Sequence, residues 1–279
     1  MNSYVKSIII GLSLIFIGSI VFVIGGGIIY KNYGGLDLSK GETKTLEITE
    51  EFKDINLDLI TYDILIHPSN SENVKIVYTE NEKVKCTISV VDSVLKITDK
   101  DTSNWLDRLF SYGEKSVNVY LPEKEYNDLI INLTTGDVKF LSTATFNNVS
   151  VEVTTGDIEG SINTKKNLTI KTTTGDVEIS NVNCENLTIN GTSCDVELLN
   201  VIATETFKIK ITTGDVEFTA CDSKFIEITS TTGDVIGSLL TGKAFTVSST
   251  TGEKIYPENS SGGTCKVKTT TGDIKIKLV

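Results

Sequence analysis

Leu168-Thr169-Ile170-Lys171-Thr172-Thr173-Thr174-Gly175-Asp176-Val177-Glu178-Ile179-Ser180-Asn181-Val182-Asn183 is the stretch from which the fold of this chain is read. Leu168, Ile170 and Thr172 alternate with Thr169 and Lys171. Val177 and Ile179 alternate with Glu178 and Ser180. Alternation with a period of two marks strands that bury one face. Between the two runs lies Thr173-Thr174-Gly175-Asp176, a turn whose glycine reaches positive φ with no Cβ to clash. Asn181-Val182-Asn183 is a second, polar turn that closes the unit.

Working outward, the same turn recurs at Gly136, Gly156, Gly214, Gly233, Gly252 and Gly272, and Thr192-Ser193-Cys194-Asp195-Val196 keeps the frame with Cys194 in the glycine slot. Successive slots are 20, 19, 19, 20, 19, 19 and 20 residues apart. A fixed period near twenty is the signature of a repeat architecture. Three architectures carry two short strands per repeat: a solenoid with one rung per copy, an up-and-down barrel of hairpins, and a sandwich of meanders. An outer-membrane barrel needs lipid-facing strands of about ten residues and aromatic girdles; aromatics are 7% of this chain and recur at no fixed position. A sandwich gives no reason for one turn to repeat in near-constant period. The expected fold is therefore all-β: a β-solenoid, β-helix-like, with rungs of 19–20 residues stacked ~4.8 Å apart. Eight such rungs give a rod of roughly 38 Å.

Composition excludes several classes of function. Formal net charge is −11 and no basic stripe occurs, which argues against nucleic-acid binding; the acidic surface reads as solubility. Of Cys86, Cys184, Cys194, Cys221 and Cys265, the three at 184, 221 and 265 share no column of the repeat, and no C-x-x-C spacing occurs, so they read as small buried residues. One histidine, His67, and scattered cysteines provide no zinc site.

Residues 8–30 run for 23 positions without a charge. As a helix they span ~34 Å, enough for a hydrocarbon core of ~30 Å. The run is longer than a signal peptide's apolar region and lacks an Ala-x-Ala site, so an uncleaved single-pass signal anchor is expected, N-terminus inside. Gly25-Gly26-Gly27 near its outer end is a flexible exit or a helix-packing face. The expected organisation is an anchor over 1–30, a tether over 31–43, an irregular β capping region over 44–133 and the regular repeat solenoid over 134–279. Thr61-Tyr62-Asp63 reads as a degenerate copy of the turn. The last copy, residues 274–279, is expected to form an open end, shielded by side chains or paired with another chain.

Alternation breaks near residues 99–116. Trp105, Leu106, Leu109 and Phe110 fall there at helical spacing. Two readings stay open: an apolar cap on the end of the stack, or an exposed patch that docks a partner or the membrane surface.

No catalytic constellation is visible. A Ser-His-Asp triad would need His67, which has no nucleophile motif near it, and phosphate-binding glycine motifs are missing. The turn acids Asp137, Asp157, Asp176, Asp195, Asp215, Asp234, Glu253 and Asp273 would stack in one column, where neighbours ~4.8 Å apart repel by roughly 0.9 kcal/mol in bulk water. Either each Asp accepts bonds from turn N–H groups and threonine hydroxyls, as in Asx-turns, or cations bind along the column. One carboxylate per rung is sparse beside calcium-binding repeats. Six N-x-[ST] sequences, at Asn132, Asn148, Asn167, Asn186, Asn190 and Asn259, read as turn and ladder residues, not glycan acceptors.

An anchored chain with Val117-Asn118-Val119-Tyr120-Leu121-Pro122, then Leu129-Ile130-Ile131-Asn132-Leu133-Thr134-Thr135-Gly136-Asp137-Val138, then repeated Thr-Thr-Gly-Asp-Val up to Thr271-Gly272-Asp273-Ile274, resembles the bacterial β-strand-repeat family labelled "putative adhesin", a domain of unknown function. The resemblance covers about residues 45–279. It implies an extracytoplasmic β-solenoid in the cell envelope, often of Gram-positive bacteria, with some relatives linked to envelope stress; it carries no catalytic residues. Cys194 in the glycine slot and Lys254 after Glu253 depart from the pattern. The resulting expectation is a non-enzymatic, membrane-anchored binding or scaffold protein, adhesin-like, with a regulatory ectodomain for an envelope-stress partner as the alternative. Its partners would be the membrane and an envelope protein or surface polymer. No cofactor, metal or small-molecule substrate is implied.

Overall fold

The computed structural model describes residues 41–81, 83–102 and 115–279. These residues are all-β: twenty strands in one sheet. Among the described residues no helix is long and apolar enough to cross a membrane; the span expected to do so, residues 8–30, lies outside them.

The stack is built from parallel pairing at the period of the sequence. β8 (Glu125–Thr135) pairs with β10 (Thr145–Thr155), which pairs with β12 (Asn163–Thr174); β12 pairs with the second half of β13 (Val177–Ser193). β13 pairs with β14 (Val196–Lys210), and β14 with β15 (Val216–Thr229). After each turn a second strand joins the same ladder: β9 (Val138–Phe140), then β11 (Ile158–Gly160), then the first half of β13. Residues that the alternation points inward therefore fall in columns. One column runs Leu129, Val149, Leu168, Leu187, Phe207, Ile226, and each of these is buried. A second runs Val138, Ile158, Val177, Val196, Val216. Both belong to one continuous core. Burying a Val or Leu contributes about 1.5–3 kcal/mol, and the period delivers such a residue to each column in every rung.

Chain order and stacking order part at both ends. β2 (Asp54–Thr61) and β3 (Asp63–Ser69) lie between two rungs: β8 and β9 on one side, and β6 (Val94–Asp101) and β7 (Ser116–Pro122) on the other. The degenerate copy at Tyr62 is thus an interior rung. Its outer neighbour is covered by antiparallel strands. β4 (Val74–Glu80) pairs with β7, β1 (Glu42–Ile48) with β4, and β5 (Val84–Val91) with β6. At the other end, β19 (Thr264–Thr271) pairs with β15 and β20 (Ile274–Leu278) with β16 (Val235–Leu239). β17 (Ala244–Thr251) and β18 (Lys254–Ile255) lie outside them. The expectation that residues 274–279 form the open end is corrected in part: Ile274 and Lys275 lie between β16 and β18, residues 276–278 pair with β16 alone, and the rung before them in the chain is the outermost. The pairing of β18 with β20 ends at Ile255, two residues before Pro257, and a residue without an N–H is confined to a sheet edge.

Glu80, at the end of β4, ties the antiparallel cover together. It is buried, its Oε1 accepts from the Lys44 and Lys85 ammonium groups, and its Oε2 accepts the Cys86 N–H at 3.3 Å. The Lys44 hydrogen bond holds the Glu80 carboxyl below the ordinary glutamate range. A lowered folded value means stability that is present above the unfolded value and lost as pH falls through the folded one. Protection of the β1 amides against hydrogen exchange should accordingly fall as pH drops below the ordinary carboxylate range. In Glu80→Gln it should already be reduced at pH 7. Equal β1 protection in wild type and variant at pH 7 would contradict this role.

The turn glycines set the second prediction. Gly233 has φ +135, and a Cβ built on it would overlap the carbonyl oxygen of Gly214 in the preceding rung. Both the dihedral and the contact exclude a side chain. Gly233→Ala should lose at least about 2 kcal/mol, a fall in Tm of roughly 4–8 °C for a chain of this size. A melt within 1 °C of wild type would show that the turn tolerates a Cβ.

Candidate functional site

The column of Thr-Thr-Gly-Asp turns is the feature that the sequence singles out, and its geometry is uniform. Three hydrogen bonds join each turn to its neighbours. The glycine N–H donates to the threonine carbonyl of the next rung, as from Gly156 to Thr174 and from Gly214 to Thr232, both at 3.0 Å. The N–H after the aspartate donates to the next aspartate's backbone carbonyl, as from Ile158 to Asp176 at 2.9 Å. The aspartate's own N–H donates to the carboxylate of the preceding rung. This last bond links Asp137 to Asp63, Asp157 to Asp137, Asp176 to Asp157, Asp195 to Asp176, Asp215 to Asp195, Asp234 to Asp215 and Asp273 to Asp234, at 2.7–3.0 Å. Glu253 ends the series, with its N–H on Asp273 Oδ1 at 2.8 Å.

The expected Asx-turn is therefore replaced by a bond between rungs. The carboxylates do accept backbone N–H groups, but the donor belongs to the neighbouring turn. A hydrogen bond to a charged acceptor contributes ~1.5–3 kcal/mol, which exceeds the repulsion of roughly 0.9 kcal/mol between neighbours in bulk water. The end position explains the departures at Glu253 and Lys254: no further rung has to donate to the Glu253 carboxylate. Instead it lies 3.7 Å from the Lys275 ammonium.

Cys194 keeps the ladder without taking the glycine conformation. Its N–H donates to Thr213 O at 3.0 Å, it is not among the residues at positive φ, and so the expected backbone cost does not arise. Its side chain turns inward and is buried. The space comes from Gly191 in the same rung, where a Cβ would overlap Cys194 Sγ. The level position one rung earlier is Thr172; two linked departures thus preserve the packing.

A second polar column runs along the opposite turn. Asn148 Nδ2 donates to Asp128 Oδ1 at 2.8 Å, Asn167 to Asn148 at 2.7 Å and Asn186 to Asn167 at 3.0 Å. These asparagines are ladder residues, as their sequence context suggested, and Asn259 Oδ1 accepts the Phe245 N–H at 2.7 Å. Outward-facing columns carry the charge. Glu159, Glu178, Glu197 and Glu217 lie level with one another, and Lys139 pairs with Glu159.

Among the described residues, neither the thiols nor His67 is set beside a group that would activate it. Burial pushes the thiols up, to about 11 for Cys86, Cys194 and Cys221 and about 12 for Cys184 and Cys265, so they are protonated at neutral pH. All five are unpaired, and four are buried, as read; Cys86 is half-buried, with its Sγ 3.2 Å from the Tyr62 hydroxyl. His67 stacks on Tyr120 with ring centroids 4.6 Å apart, and its Nε2 is 2.9 Å from Asn118 Oδ1, not from a carboxylate or nucleophile. Among the described residues no group of three or more His, Cys, Asp or Glu is placed to hold a metal ion. The candidate docking residues Trp105, Leu106, Leu109 and Phe110 lie outside the described residues; β6 and β7 flank them in the chain.

The turn column yields a paired prediction. Asp176→Asn keeps an oxygen acceptor for the Asp195 N–H and removes one charge from the column, so its Tm should equal or exceed that of wild type. Asp176→Ala removes the acceptor and should lose about 1–3 kcal/mol, roughly 2–12 °C. Millimolar calcium should leave the wild-type Tm unchanged. A calcium-dependent rise abolished in Asp176→Asn would instead establish the cation-column reading.

Several solved structures are similar to this chain, among them the following three. A "putative adhesin" of Parabacteroides distasonis is 12% identical, with 85% of this chain and 98% of that chain covered and a TM-score of 0.53. A "putative adhesin" of Bacteroides fragilis is 15% identical, with 85% and 97% covered and a TM-score of 0.47. A "putative lipid binding protein" of Parabacteroides distasonis is 13% identical, with 86% and 99% covered and a TM-score of 0.45. At these identities the first supports the fold alone. Among curated proteins no match was found. The Toastrack DUF4097 family matches residues 52–205 and 199–279, which together span the parallel ladder from β2 to β20: the chain belongs to that family.

Proposed function

We propose that this chain is a non-enzymatic binding or scaffold protein, adhesin-like, displayed outside the cell by a single-pass anchor over residues 1–30. The observation that carries the reading is the repeated face itself. Parallel rungs in constant register present the same side chains again and again along one ladder, a surface suited to an extended polymer or a broad protein face and unsuited to enclosing a small substrate. The description of the Parabacteroides relative as a "putative adhesin" agrees with it. The uncharged span of residues 8–30 supports the anchor.

A regulatory ectodomain is the second reading. It rests on Trp105, Leu106, Leu109 and Phe110, an apolar group where the repeat grammar is interrupted. One experiment separates the two. The chain from residue 36 onward, immobilised, is incubated with solubilised envelope, beside a Trp105→Ala/Phe110→Ala variant. Retention of wall polymer or surface material by both forms is expected under the adhesin reading. Capture of a membrane signalling protein, lost in the variant, would replace it with the regulatory one. Full-length protein should sediment with membranes and resist carbonate extraction; release by carbonate would remove the anchor.

A further inference from the structure

The exchange of the last two rungs calls for a physical cause, because the sequence offers an equally periodic alternative. In chain order Thr246 would lie beside Glu227, 19 residues earlier; instead Lys266 occupies that place, with its Nζ 3.1 Å from Glu227 Oε1. Two features distinguish the rungs. The rung of β19 and β20 contains no proline, and all five residues of β20 pair with β16. The rung of β17 and β18 stops at Ile255, two residues before Pro257, and only Lys254 and Ile255 pair with β20. A prolyl nitrogen in the interior of the ladder would leave a carbonyl on the adjacent strand without its donor.

Lys243 is the second feature. It is 2% exposed and stands just ahead of β17. Its ammonium contacts Asp222 Oδ1 at 2.5 Å, Thr241 Oγ1 at 2.6 Å and the Gly262 carbonyl at 2.8 Å. Those partners span three layers: Asp222 lies in β15, Gly262 leads into the inserted rung, and Thr241 leads into the outermost one. All three ammonium hydrogens are engaged, so the groove of about 560 Å³ that these residues line holds no free donor on Lys243 for a ligand. A buried ion pair contributes little to net stability, but it can select one packing arrangement over another.

The outermost rung is also guarded. Asn259 Oδ1 accepts the Phe245 N–H at 2.7 Å, and Lys254 Nζ reaches the Ser249 carbonyl at 3.4 Å. Both groups belong to β17, which pairs on one side only. Side chains that occupy edge groups discourage strand addition by another molecule. We propose that Pro257 and Lys243 together select the exchanged order, and that the exchange ends the stack on this guarded rung, so that the edge of β19, which β17 covers from Thr264 to Thr271, is not offered to a second copy of the chain.

Cysteine pairs on the full chain test the order. In an otherwise native background, Glu227→Cys/Lys266→Cys should cross-link on mild oxidation and Glu227→Cys/Thr246→Cys should not. Adding Lys243→Met/Pro257→Val should shift cross-linking toward the 227/246 pair, and the same chain without the added cysteines should gain mass with concentration in light scattering. Cross-linking confined to 227/266 in the folded variant would overturn the selection. A shift in order with no association would overturn the capping role. Should that variant fail to fold, Lys254→Ala/Asn259→Ala, which leaves both selecting residues in place, should associate at the exposed edge; a strictly monomeric form of it would equally overturn the capping role.

Discussion

Everything in this molecule depends on how closely one turn approaches the next. At the glycine slot a rung passes so near its neighbour that a Cβ would overlap the adjacent carbonyl, and this closeness brings an aspartate amide within 3.0 Å of the carboxylate one rung away. The glycine and the aspartate are thus two halves of one constraint. Remove the approach, and the carboxylates repel without compensation; remove the carboxylate, and a backbone N–H at each corner loses its partner. The apolar columns add cohesion, yet they do not fix the register to the residue. The turns do so, because a slip of one residue would misplace glycine, amide and carboxylate together.

Much of this was legible in the residues. The alternation around Gly175 gave strand direction, buried face and period, and Thr61-Tyr62-Asp63 was recognisable as a turn despite lacking glycine. Cys194 was flagged correctly as a departure, but its accommodation was not, since Gly191 becomes its partner only once both are placed on one rung. Rung order was not legible. Periodicity says what stacks, and it is silent about which of two equivalent copies stacks first. Pro257 was a signal in the sequence that could have identified the outermost rung, but it gains that meaning only once the pairing of β18 with β20 is seen to stop at Ile255, two residues before it. The aspartate ladder was half-legible: the acceptor could be named, whereas the donor belonged to a turn about twenty positions distant in the chain.

The same constraint bears on function. A surface whose backbone is pinned at every rung presents its outward side chains in a fixed array, and ordering it on binding costs little conformational entropy. That is what an adhesin-like or scaffolding role requires. Two buried charged groups are engaged by the fold and the thiols are unreactive: Lys243 joins three layers, Glu80 holds the antiparallel cover, and the thiols stay protonated. The surface that the proposed binding role would use is the exterior of the ladder, with its stacked Glu178, Glu197 and Glu217 and its regular turns.

The most direct measurement is site-resolved hydrogen exchange across a single turn-column substitution. In wild type the amides of Asp176, Asp195 and Asp215 should be strongly protected. In Asp176→Ala the Asp195 amide, which donates to Asp176 Oδ1 at 3.0 Å, should lose protection, while residue 176 itself, whose N–H donates to Asp157, should keep it. Loss at residue 176 with Asp195 unchanged would mean that each carboxylate serves its own turn, and the account of rungs locked by their neighbours would be wrong.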